Sequence, residues 1–199
     1  MTERNEYKVP EGSPAEVAWD QAALQNEALF GTVEDARLTL AEMQAEVREV
    51  NEMNGWFDSE RPFSADIALL HTEVTELFEA MLKGDAENAG EEFADIFIRL
   101  LDTAERYGHD LSGEVSIPHG AEELFAPGVS YLHLWIDRAY EVYRKHGDVR
   151  HARIRNELKC LLSLVMTSAA LMDVDLIAEY QKKIARNRER GYRHGGKHE

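Results

Sequence analysis

Four acids stand in two pairs, Glu73 with Glu76 and Glu92 with Asp95, each pair three residues apart within "EVTELFEAMLKGDAENAGEEFADIF". On an α-helix, residues i and i+3 project from one face about a turn apart, so each pair points one way. If the two segments form an antiparallel hairpin, the four carboxylates converge on one locus beside the apolar residues of the core. Uncompensated, such a cluster repels itself and raises its own pKa values. A hard divalent cation resolves the conflict, because Mg²⁺ or Mn²⁺ prefers oxygen ligands and keeps positions open for water and phosphate oxygens. A solvated acidic helix face is the alternative in a chain with 38 Asp and Glu. Iron is a weaker match: bundle di-iron sites use Glu-x-x-His pairs, and neither Glu73 nor Glu92 has a His three residues on.

The opposite charge is concentrated near the C-terminus. "KKIARNRERGYRHGGK", residues 182 to 197, sets Lys182, Lys183, Arg186, Arg188, Arg190, Arg193 and Lys197 against Glu189 alone. A net charge of -16 argues against nucleic acid or an anionic membrane surface as a partner. A local basic cluster can still bind phosphates, or be only a solvated tail helix.

Positioning these residues requires helices, and helix-period patterns dominate the 199-residue chain, with no alternating strand runs between hairpin turns. The expected architecture is all-α, a helical bundle in one domain over 14–199, preceded by an irregular arm at 1–13. Helices are expected over Ala15–Phe30 and Val33–Met53, with Thr32 as a cap, before the loop "NGWFDSERPFS". A metal-site hairpin is expected at 64–107. Ser64 caps its first helix, Ile67, Leu70, Val74, Leu77 and Met81 form the core stripe, and Asp85 caps the second helix after "KGD". A Gly- and Pro-marked linker follows at 108–130, then a second hairpin at 131–172 with helices Tyr131–Lys145 and Val149–Met172. A basic helix, Asp175–Arg190, and a tail complete the chain at 175–199. The single Cys160 reads as a buried thiol in a reducing compartment. The apolar stretch from Leu161 to Met172 is too short to span a bilayer and no basic, apolar N-terminal signal is present, so a cytoplasmic, membrane-free protein is expected.

The two hairpins echo each other. An offset of 65 residues lays "ELKCLLSLVMTSAALMDVDL" on "EFADIFIRLLDTAERYGHDL", and Glu141 on Glu76, but puts Arg138 on Glu73 and Cys160 on Asp95. A degenerate duplication that kept the packing and lost the acids accounts for this, as does chance similarity between helical patterns. Duplication requires the hairpins both to superpose and to be neighbours in one bundle.

"HTEVTELFEAMLKGD" followed by "EEFADIFIRLLD" resembles the Glu-x-x-Glu, spacer, Glu-x-x-Asp signature of the MazG-like, all-α nucleoside triphosphate pyrophosphohydrolases, which include the dimeric dUTPases and phosphoribosyl-ATP pyrophosphatases. "NGWFDSERPFS" extends the resemblance upstream, and "KKIARNRERGYRHGGK" is similar to the Lys-x-x-x-Asn-x-x-Arg element and His-Gly-Gly-Lys tail of small members. The resemblance implies an all-α NTP pyrophosphohydrolase fold, a homodimer, and Mg²⁺ (or Mn²⁺) held by Glu73, Glu76, Glu92 and Asp95, with Glu73 also helping to deprotonate the attacking water. It implies cleavage of a nucleoside triphosphate to monophosphate and pyrophosphate, with Lys183, Asn187 and Arg190 on the phosphates. Trp56, beside Phe57 in the loop, can stack on a base or cover the core. His71 can touch a phosphate or carboxylate, or be structural, and Glu79 can extend the metal set or lie in solvent. A nucleotide sensor or helical interaction protein on the same fold is the alternative to an enzyme.

Overall fold

Thr39 opens the first described helix. Its side chain accepts a hydrogen bond from the Glu42 amide while the Glu42 carboxylate accepts one from the Thr39 amide, a reciprocal capping box. The computed structural model describes residues 39–112 and 128–193, and every regular element among them is helical. These are α1 (Leu40–Met53), α2 (Phe63–Lys83), α3 (Ala86–Tyr107), α4 (Gly128–His146), α5 (Ala152–Leu171) and α6 (Leu176–Glu189). The expected arm, the helix Ala15–Phe30 with its Thr32 cap, and the His-Gly-Gly-Lys tail lie outside the described residues.

Gly84 ends α2 in the left-handed conformation, φ 66°, where a Cβ is disfavoured. Asp85 then caps α3 by accepting from the Asn88 amide, as expected. This tight connector makes α2 and α3 an antiparallel pair, and α4 and α5 form a second one. α2 packs on α4 and α3 on α5, so the two hairpins are neighbours in one bundle, one of the two conditions duplication requires. α6 lies against α3, where Tyr180 meets Phe97 edge-on at 5.5 Å, and α1 packs against both. Leu70, Val74, Leu77, Phe93, Phe97, Leu100, Leu161 and Val165 are buried in the shared core.

Several boundaries differ from expectation. The helix expected from Val33 starts at Leu40, because Thr39 is extended and capped by Glu42, a box the periodicity alone does not reveal. α2 starts at Phe63, with Pro62 rather than Ser64 at the cap position. α4 begins at Gly128 instead of Tyr131, and α5 starts at Ala152 behind His151 instead of at Val149. Met81, expected in the core stripe, is 40% exposed at the end of α2. Cys160, expected buried, is half-buried, and desolvation raises its thiol to about 11. Among the described residues no single helix is long and apolar enough to cross a membrane.

Candidate metal and phosphate site

Glu73 and Glu76 on α2 and Glu92 and Asp95 on α3 face one cleft of about 440 Å³. The helical period presents each pair, and the tight Gly84–Asp85 connector brings the pairs together. Glu73, Glu92 and Asp95 each offer an oxygen within 4.8 Å of the others. Glu76 lines the same cleft at its more exposed edge. The opposite wall is α6 and the chain after it, with Lys183, Asn187 and Arg190, and Trp56 joins from the α1–α2 loop.

Burial makes Glu73 and Glu92 costly to ionise. Desolvation pushes Glu92 from 4.5 up to about 7, reinforced by Asp95 and Glu76 and opposed by Lys183. Glu73 is also raised by desolvation, with Arg99 pulling the other way. Two internal cations supply part of the compensation: Lys183 Nζ lies 2.5 Å from Asp95 Oδ2, and Arg99 Nε donates to Glu73 Oε1 at 3.0 Å. Glu92 Oε2 is buried and meets no donor, and Asn187, 9% exposed, has an unpartnered Oδ1. A buried carboxylate oxygen without a donor, in a set made only of carboxylates, fits a hard divalent cation. Glu73, Glu92 and Asp95 would hold it, with Glu76 within the same cleft.

The α1–α2 loop is fastened to α6 and the chain after it. Asn54 Nδ2 donates to the Asn187 carbonyl at 2.9 Å, the Arg193 amide donates to the Asn54 carbonyl at 2.9 Å, and the Tyr192 hydroxyl donates to Asp58 at 2.7 Å. The loop that carries Trp56 is therefore tied to the segment that carries Arg190. Phe57 turns elsewhere, under the guanidinium groups of Arg48 and Arg106.

His71 does not belong to the cleft. It sits two residues before Glu73, about 200° around the helix, and faces α4. There its Nδ1 is 2.6 Å from His133 Nδ1 and its Nε2 is 3.2 Å from Asp137. There it makes a contact between the two hairpins. Glu79 is an exposed partner of Lys83 at 3.3 Å rather than a metal ligand.

Beyond the expected residues, the charged and amide side chains of Arg99, Asp102 and Asn51 also line the cleft. Arg99 and Asp102 lie four and seven residues after Asp95, so the helical period itself sets them on the acidic face. Asp102 anchors a buried network in which it accepts from Asn51 Nδ2 at 2.9 Å and from Arg61 at 2.8 Å. Arg61 also pairs with Asp66 at 2.5 Å, and Asp66 accepts from the Tyr107 hydroxyl at 2.6 Å. This network forms the fixed floor of the cleft and orients Asn51. No protein-family model, curated protein or solved structure matches this chain.

Proposed function

We propose that the chain is a divalent-cation-dependent nucleotide pyrophosphohydrolase that cleaves a nucleoside triphosphate to monophosphate and pyrophosphate. One observation carries the proposal. A single cleft holds two carboxylate pairs on one wall and Lys183, Asn187 and Arg190 on the other, the complementary charges that a cation and a phosphate chain need. The resemblance of both motifs to the all-α pyrophosphohydrolases supports the same conclusion.

Mg²⁺ bound by Glu73, Glu92 and Asp95 would neutralise phosphate charge and acidify water. The residues of the chain do the rest. Lys183 offers a point charge and Arg190 a planar fork to phosphate oxygens. Asn187, buried behind them, is held through its carbonyl by Asn54. Trp56 presents an aromatic face to a base at the cleft edge. Glu73 accepts the proton of the attacking water. A phosphorus–oxygen bond forms to that water as one phosphoanhydride bond breaks.

The test is a panel of dNTPs and NTPs incubated with the purified protein with and without Mg²⁺. Pyrophosphate released only with metal is the expected result, and its absence for every nucleotide removes the proposal. Metal-dependent nucleotide binding without turnover would instead place the chain among nucleotide sensors. The same proposal makes the protein cytoplasmic and homodimeric, with the exposed Phe78, Met81 and Leu82 of α2 as the apolar surface for a second copy.

A further inference from the structure

Arg99 stands where two kinds of ligand compete for one carboxylate. Its Nε donates to Glu73 Oε1 at 3.0 Å, and the Glu73 side chain is only 12% exposed. Glu73 also belongs to the oxygen set that closes to within 4.8 Å with Glu92 and Asp95. A cation seated among these oxygens draws on the lone pairs and charge that now hold the guanidinium. Removing the guanidinium with nothing in its place would leave a buried carboxylate uncompensated, which is strongly unfavourable. A divalent cation is the replacement that avoids this cost.

Once displaced, Arg99 has somewhere to go. Its side chain is 27% exposed and lines the same cleft as Lys183 and Arg190. It rises from α3 one turn beyond Asp95, on the acidic wall, whereas the other two cations come from the opposite side. A guanidinium fork matches phosphate oxygens better than it matches a shared carboxylate already bound to a metal.

We propose, on the basis of the nucleotide-hydrolase function above, that Arg99 is a phosphate-binding residue which Glu73 holds until a divalent cation claims that carboxylate. Metal and phosphate binding are then coupled through one side chain. The metal works against Arg99 when it binds alone, and the released guanidinium adds to phosphate affinity when both are present. By linkage, the phosphate chain strengthens metal binding by the same factor. An arginine that merely props Glu73 in place would produce neither effect.

The experiment measures Mn²⁺ binding to the full chain by electron paramagnetic resonance without nucleotide. It then measures binding of inorganic tripolyphosphate, which has the phosphate chain without base or sugar, by calorimetry at saturating Mn²⁺. Arg99→Gln is expected to bind Mn²⁺ roughly three- to tenfold more tightly than the parent and tripolyphosphate about tenfold more weakly, the scale of one partly buried charge contact. Arg99→Lys, which keeps a charge beside Glu73 without the fork, should hold Mn²⁺ affinity near the parent value while still weakening tripolyphosphate. Mn²⁺ affinity that is unchanged or lower in Arg99→Gln, or unchanged tripolyphosphate affinity, overturns the exchange and leaves the hydrolase proposal standing if the parent still turns over nucleotides. A parent that binds no Mn²⁺ overturns both.

Discussion

Glu92 has a buried oxygen that no donor in the cleft meets, and this has a measurable consequence for the metal-free protein. Folded Glu92 titrates at about 7 against an ordinary 4.5, so the folded state holds this proton more tightly than the unfolded chain. Stability therefore falls as pH climbs from about 4.5 to about 7. Glu92→Gln removes the ionisation. In EDTA it should be more stable than the parent by about 1–2 kcal/mol at pH 8, a figure reduced for solvent screening, and close to equal to it near pH 4. Thermal melts at the two pH values check this, and an equal gain at both would contradict it. At Asp95 the expected effect is on turnover. Asp95→Asn keeps the shape and the fold but loses a charge that pairs with Lys183, and pyrophosphate release should drop by about 100-fold or more. The acid pairs are legible in the sequence because three-residue spacing on two successive helices is unusual. Arg99 and Asp102 share that face, yet a lone Arg or Asp on an amphipathic helix carries no such mark. His71 illustrates the converse: nearness in sequence to Glu73 places it on the far side of the helix.

At the scale of elements, the helices are readable from their apolar period, while their ends depend on local chemistry. Thr39 with Glu42 and Pro62 with Phe63 set starts that periodicity misses by several residues or by two. The strap after α6 is harder still, since nothing in "RGYR" announces that Tyr192 lies against Gly55. Gly55 has φ 79°, and a Cβ added there would lie 2.1 Å from Tyr192 Cε2. Gly55→Ala therefore meets both backbone strain and a ring that has to move away. The expected loss of stability is about 1–2 kcal/mol, together with weaker substrate binding as Arg190 loses its anchored neighbour. In a Tyr192→Ala background only the backbone part of the stability cost should remain. A double-mutant cycle by denaturant titration measures the difference, and full additivity would show that the strap does not depend on Gly55.

Across the whole molecule, the second hairpin packs beside the first and carries different residues 65 positions after Glu73 and Asp95. Arg138 Nε lies 3.0 Å from Glu157 Oε2 and its guanidinium covers the Trp135 ring at 4.2 Å. Cys160 is close enough to both charges for each to act on its thiol. Arg138, Glu157 and Cys160 stand 65 positions after Glu73, Glu92 and Asp95, so a guanidinium pairs with Glu157, which with Glu141 is one of two acids retained in this hairpin. If the hairpins share a backbone geometry, restoring the acids should restore the site. Arg138→Glu with Cys160→Asp sets three carboxylates together and removes their internal cation, so the metal-free variant should melt below the parent through like-charge repulsion. Mn²⁺ should recover that loss, because a ligand that binds only the folded state stabilises it. Bound Mn²⁺ should rise from about one to about two per chain at saturation. A variant that takes up no additional Mn²⁺ and shows no metal-dependent recovery would mean that the echo in the sequence reflects only two similarly packed helix pairs. A second binding event would mean that the bundle holds two versions of one hairpin, of which only the α2–α3 pair has kept all four acids beside the basic helix α6.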